Sequence, residues 1–348
     1  MRLSPRRLNR TLLRRQHLLA RVPWSPAEMA RHLVGLQAQE NLPPFLSLAA
    51  RLDPFDPYDV SRGLDDRSLV RLLAMRGTIH LLAPDDALTL RPWTQPRMEQ
   101  ELRTSQNTKP ALGVDRAAYD AALSEVLADG PLTQKALAAE LAARFPGVPA
   151  GALGQLARVT APLAQLPPRG GWKQSGGVVY QYVDRWLGRP LLEPDVPEIV
   201  RRYLRAFGPA TAADVTAWSA ITRLGPVLAG MADLVRHEDE RGRVLYDVPE
   251  GELADEDAPD PVRLLGCYDN AWLSHAGRDR VTDPEKRSSW MGVNGGSANT
   301  LFADGMLEGL WRVEDGRVVV LETLRPLTRG ERAELAEETA RVEALLAS

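Results

Sequence analysis

Two carboxamides separated by one alanine, Gln37 and Gln39, stand in the stretch Gly35-Leu-Gln-Ala-Gln-Glu-Asn-Leu-Pro-Pro44. At neutral pH an amide is no general base. Its carbonyl oxygen can orient a water, however, and its NH₂ can hold a partner group. Glu40 follows directly and is the nearest carboxylate, either a base for the same site or a solvated side chain. A helix entered at Pro26 is expected to end before Pro43-Pro44, which cannot continue it, with Leu42 displaced from the α region. Gln37 and Gln39 then fall in or near the last helical turn. Residues two apart on a regular helix point about 200° apart, so both face one site only if the helix loosens there. The plain alternative is two glutamines satisfying open carbonyls at a frayed helix end.

A second group lies in Met75-Arg-Gly-Thr-Ile-His80, where Arg76, Thr78 and His80 alternate. Along the expected first wing all three project to one side, with Arg76 suited to a phosphate or to a structural ion pair. Basic and aromatic residues recur at Arg169, Trp172 and Lys173, and again at Arg278, Arg280, Lys286, Arg287 and Trp290. Cations beside rings in loops suit contacts to a nucleic-acid backbone, although charged loop tips are often only solvated. Asn294-Gly-Gly296 has no Lys-Ser/Thr after it and is no nucleotide loop.

The elements that must position these residues show as a repeat. Gly-Pro-x-Thr followed by a helical pattern occurs at Gly130–Thr133 and Gly208–Thr211, with a weaker copy at Ser25-Pro26. Each hydroxyl can cap the next helix. Taking the copies in chain order, after the first, at Ser25, the sequence suggests a helix around Ser68–Met75 and then the strand Gly77–Leu82. After the second, Arg169–Val183 suggests strand, glycine turn and strand. After the third, Leu234–Val248 suggests a hairpin turning at Arg241-Gly242. The fold expected is mainly α with β, an α+β chain of three tandem winged helix-turn-helix domains over 1–110, 111–192 and 193–254. Residues 255–348 form a β-rich C-terminal domain, with strands near Val262–Gly266, Gly305–Val313 and Arg317–Thr323, a turn at Glu314-Asp-Gly316 and a closing helix Thr328–Leu346. Ser4-Pro5 reads as cap and first residue of an opening helix.

Composition bounds the function. In 348 residues there are 43 Lys+Arg against 46 Asp+Glu, a net charge of −3, and a single cysteine, Cys267. One cysteine excludes a disulfide framework or cysteine zinc cluster and fits a reducing cytoplasm. Five scattered histidines offer no metal-ligand spacing, so no metal or cofactor is expected. No apolar run approaches a membrane span, and none resembles a secretory leader. The mean charge hides a pattern: Met1–Ala27 holds seven arginines and no acid, whereas Asp247–Asp260 holds seven acids and no base. Arginine grips phosphate in a bidentate manner, so the basic pole suits DNA despite the net charge.

Gln-Ala-Gln before Pro-Pro, in the first of three winged helices, resembles the AlkZ-like winged-helix DNA glycosylases, related to YcaQ. Met75–His80, Leu264-Leu-Gly-Cys-Tyr-Asp-Asn270, Asn294-Gly295 and Phe302–Trp311 also resemble that group, in the same order and over nearly the whole chain. The resemblance implies a Gln-x-Gln catalytic motif at Gln37 and Gln39, a C-terminal β-barrel-like domain and a cleft for duplex DNA. It implies a monofunctional DNA glycosylase, a monomer of the bacterial cytoplasm and nucleoid, acting in repair or genotoxin self-resistance. DNA contacts then fall to Arg76, Thr78, Arg169, Lys173, Arg278, Arg280, Lys286 and Arg287. Two amides give only weak assistance, enough for a base that leaves readily. The expected substrates are therefore cationic alkylpurines, N7-alkylguanine in bulky adducts or interstrand cross-links included. The alternatives are a non-catalytic winged-helix regulator and an inactive family member lacking a motif carboxylate.

Overall fold

The computed structural model describes residues 1–287 and 298–348, with the side chains of 286 and 287 outside the description. Contacts divide the chain into two units. The first comprises Met1–Pro57, Val196–Trp218 and Thr222–Ser348; the second comprises Tyr58–Asp195 with Ser219–Ile221. No helix among the described residues is long and apolar enough to cross a membrane.

The first unit opens with helix α1, Pro5–Arg15, whose Ser4 hydroxyl accepts from the Arg7 N–H. Helix α2, Pro26–His32, is closed at its start by a capping box between Ser25 and Glu28. Helix α3, Pro43–Ala49, is wholly buried. The expected hairpin is present as Val235–Asp239 against Val244–Asp247, with Gly242 at φ 76 in its turn. Arg2–Leu3 adds a parallel strand to its edge.

The basic pole does not face outward as free charge. Arg15 makes a buried bidentate pair with Asp247 at 2.7 and 2.8 Å. Arg14 reaches Glu252 at 2.7 Å, and Arg6 and Arg10 share Asp304. The fully buried Arg10 also lies 3.9 Å from Asp260, whose carboxyl burial pushes up to about 6 against the pull of Arg10. The helix and the acidic segment are thus each other's counter-ions, which is why each can hold one sign of charge.

The C-terminal strands Arg263–Leu265, Asn299–Ala303, Met306–Glu314 and Arg317–Thr323 pair antiparallel in chain order. They form an open sheet, not the β-barrel-like closure expected. Four strands are too few to curl shut; the helix Arg329–Ala347, capped by Thr328, packs against the first and last strands instead. Asn299–Ala303 is a strand that the sequence pattern did not reveal.

In the second unit, strands follow the order Ile79–Leu82, Val70–Leu73, Leu163–Gln165, Val179–Tyr182 and Leu132–Thr133, all antiparallel. The helix expected around Ser68–Met75 is therefore replaced by a strand. Val70-Arg-Leu-Leu is a short run buried on both faces, and periodicity cannot distinguish that from helix. The helix lies upstream, at Tyr58–Asp65. Likewise Arg169–Val178 is a loop, and the strand paired with Val179–Tyr182 is Leu163–Gln165. Helices Arg116–Val126, Gln134–Arg144 and Ala150–Thr160 enclose a core of Tyr119, Leu123, Leu137, Leu141, Leu153 and Leu156. Thr133 caps the second of these through the Ala136 N–H at 3.2 Å.

Candidate active site

Helix α2 ends at His32, earlier than the Pro-Pro pair requires. Leu33 closes it, the Val34 N–H bonds to the Arg31 carbonyl, and the Gly35 N–H reaches back to the Ala30 carbonyl at 2.8 Å. This is a Schellman ending with a left-handed residue after the cap. That residue is Val34, at φ 51, and Gly35 follows at φ 101. A β-branched residue in this region is strained, and complete burial of the Val34 side chain holds it there.

Leu36–Gln37 then run as extended strand, and the chain bends from Gln39 to Leu42. The helical placement of both glutamines is thus corrected, and the roughly 200° divergence it imposed falls away. Gln37 and Ala38 are buried, whereas Gln39 and Glu40 are exposed. Pro43-Pro44 does not end a helix; it starts one. The two prolines occupy the first positions of α3, where their missing N–H groups cost nothing, and Leu42 is α-helical at φ −73, ψ −40.

The stretch Leu264–Asn270 braces this segment at both ends. The Asn270 carboxamide donates to the Gly35 carbonyl at 2.8 Å, in a buried position. At the other end, a Cβ on Gly266 would lie 3.0 Å from Pro43 Cα and carbonyl oxygen, so a side chain there would press the Pro43 backbone away. Asp269 locks the brace from below. It takes a bidentate pair from Arg51 at 2.7 and 2.8 Å, a hydrogen bond from the Ser47 hydroxyl and one from the Ala271 N–H. Burial opposes ionisation of Asp269, but Arg51 and these donors outweigh it and hold the carboxyl below its ordinary range. Between the anchors, burial pushes the Cys267 thiol up to about 12, with the Glu40 carboxylate adding to the effect. Tyr268 is raised likewise, by burial first and then by Cys267 and Glu40.

Arg76, Thr78 and His80 do not alternate along one strand. Met75–Gly77 is a tight helical turn with Arg76 at φ 56, and the strand begins only at Ile79. The turn nevertheless brings Arg76 and His80 together, at 3.2 Å from Nη2 to Nε2. Nδ1 of the buried His80 lies 2.9 Å from the Thr78 carbonyl and so carries the proton, leaving Nε2 to accept from Arg76. Burial and the Arg76 charge push this imidazole down to about 3, so it is neutral.

Lys173 is exposed at φ 52, its ammonium 5.7 Å from the Trp172 ring centre. Arg169 donates to the Gly176 carbonyl at 3.2 Å within the same loop. Arg278 donates to the Trp272 and His275 carbonyls, and Arg280 to the Pro209 carbonyl at 2.7 Å. These two guanidinium groups are thus spent on backbone carbonyls within the first unit. The side chains of Lys286 and Arg287, and all of Trp290, Asn294 and Gly295, lie outside the described residues.

The family model described as DNA glycosylase AlkZ-like matches residues 30–345. The chain belongs to the AlkZ-like DNA glycosylase family. An interstrand DNA cross-link repair glycosylase of Streptomyces sahachiroi is 29% identical over 331 residues, covering 88% of this chain and 87% of that relative. The solved structure of Streptomyces sahachiroi DNA glycosylase AlkZ matches with a TM-score of 0.80 at 26% identity, over 100% of this chain and 98% of the other. This glycosylase carries site features that the sequence did not single out: strained Val34, and Tyr268, Asp269 and Asn270 as the core of the brace. The segment Leu264–Asn270 stood out only by resemblance, since nothing in its composition ties it to Gly35 or Pro43.

Proposed function

We propose that this glycosylase hydrolyses the N-glycosidic bond of alkylated purines in duplex DNA. The favoured substrate is N7-alkylguanine, including bulky adducts and interstrand cross-links. The observation that carries the reading is the pair of carboxamides, Gln37 and Gln39, on a short segment anchored at Gly35 and Pro43. Water oxygen bonds to C1′ as the C1′–N9 bond breaks; the electron pair goes to N9, and the attacking water loses its proton to solvent. The sugar passes through oxocarbenium character, so positioned water and a ready leaving group decide the rate. N7-alkylation supplies the leaving group, because departure neutralises the purinium. Gln37, fixed in the wall, positions the water or the sugar, and exposed Gln39 meets the substrate. The relative named as a cross-link repair glycosylase supports this substrate class.

The three capped helices after Ser25, Thr133 and Thr211, each followed by a hairpin, support tandem winged helices over 1–110, 111–192 and 193–254. In this reading Arg76, Thr78, Arg169, Lys173, Lys286 and Arg287 contact the DNA backbone, while Arg278 and Arg280 shape their loop from within. The enzyme acts as a monomer without metal or cofactor, in repair or self-resistance. The test is release from duplexes carrying N7-methylguanine or uracil. Release of methylguanine alone is expected; efficient uracil release, or sequence-specific binding with no release of either base, contradicts the reading.

A further inference from the structure

Two stretches of the first unit run past each other in opposite senses. Asn270 is tied to Gly35, and Gly266 lies against Pro43. The midpoint of one stretch is Gln39 and the midpoint of the other is Tyr268. Tyr268 is unusual in three ways. Its backbone is left-handed at φ 62, where a bulky side chain is strained; such outliers persist where their surroundings over-determine them, often at functional sites. The surroundings do so here, through buried Cys267, whose N–H donates to Asn299 Oδ1 at 3.0 Å, and buried Asp269. Its phenol, half-buried, makes no side-chain hydrogen bond and no ring contact among the described residues. By contrast the buried phenols of Tyr119 and Tyr203 each bond to a backbone carbonyl, Leu153 and Ser274. Thirdly, Glu40 is near enough to act on its ionisation. A strained backbone therefore holds an uncommitted aromatic ring on the stretch whose two ends are anchored to the ends of the Gln37–Gln39 segment, within electrostatic reach of Glu40.

We propose that Tyr268 is a specificity-determining residue that selects positively charged purines, offering its ring face to the alkylated base at the site of Gln37 and Gln39. The inference rests on the glycosylase reading above and names the charge discrimination within it. An aromatic face attracts a cation through its quadrupole, and a neutral base of the same shape gains only the stacking. Because the purine loses its charge as it departs, this attraction is greater in the bound substrate than in the transition state. Its removal raises KM and does not lower kcat.

The test measures binding to two duplexes by fluorescence anisotropy. One carries 2′-fluorinated N7-methylguanine, cationic and slow to hydrolyse; the other carries 7-methyl-7-deazaguanine, neutral and of the same shape. The wild type is expected to prefer the cationic duplex by about threefold to thirtyfold. Tyr268→Phe keeps the preference and Tyr268→Leu loses it, with KM for N7-methylguanine release raised and kcat not lowered. Tyr268→Asn, a residue that accepts left-handed backbone, serves the same purpose if the leucine variant does not fold. An unchanged preference in both ring-less variants overturns the proposal. So does a wild type that releases N7-methylguanine but shows no preference. A wild type that releases none removes the glycosylase reading itself, and this inference with it.

Discussion

Asn270 and Gly35 are 235 positions apart in the chain, yet the Asn270 carboxamide holds the Gly35 carbonyl at 2.8 Å in a buried site. The bond fixes the chain two residues before Gln37, where a strained Val34 has just turned it out of helix α2. Asn270→Ala leaves that carbonyl buried and unpaired, at a cost of about 1 to 3 kcal/mol. The variant is expected to fold, to melt at a lower temperature and to lose base release beyond what unfolding explains. Rates measured well below the melting point check this. Full activity in Asn270→Ala would show that the anchor serves stability alone.

Below the brace, Arg51 and Asp269 form a fully buried pair. Removing one partner strands a charge in the interior, typically at about 3 to 5 kcal/mol. Asp269→Ala should therefore lower stability by about that amount in urea unfolding, far more than Arg14→Gln, whose exposed pair with Glu252 contributes about 0 to 1 kcal/mol.

The internal pairing of α1 also predicts a salt effect. Arg14 already has its counter-ion, so Arg14→Gln should leave the slope of log K for DNA against log salt unchanged. Lys173→Gln should reduce its magnitude by about 1, the change expected when one phosphate is no longer neutralised. Equal slopes for Lys173→Gln and wild type would remove Lys173 from the DNA-facing surface.

Three histidines set the acid side of stability. Burial, with Arg76 beside it, pushes His80 down to about 3; burial, with Arg280, does the same to His275; burial, with His32, takes His17 to about 4. Each is neutral in the fold, whereas the unfolded chain takes up a proton below about 6.5. Their contribution is present above that pH and is lost as the pH falls toward 4 and 3. The melting temperature should drop between about pH 7.5 and pH 5, and His80→Gln should drop less over the same interval. A melting temperature constant across that range would contradict the assignment.

Local signals were the most legible part of the fold. Ser4, Ser25, Thr133 and Thr211 each cap the helix that follows, because capping needs only one hydroxyl at the right offset. Signals that depend on the partner were not legible. Val70–Leu73 is strand only because strands flank it on both sides. Pro43-Pro44 is equally compatible with ending one helix or opening another. The basic pole pointed to DNA, and its Arg14 and Arg15 are matched by an acidic segment more than 200 residues away. Within the candidate site, the glutamine pair was visible from residue type; its brace was not, since the pairing of Asn270 with Gly35 exists only in three dimensions.

If Gln37 and Gln39 carry base release without a carboxylate in the motif, removing at least one of the two side chains must slow the chemical step. This is tested most directly by single-turnover release of N7-methylguanine from a duplex by wild type, Gln37→Ala and Gln39→Ala, each shown to be folded. Loss of one positioned polar group predicts a fall of about 100-fold or more for at least one variant, with little change in DNA affinity. Release at the wild-type rate by both variants would contradict the account.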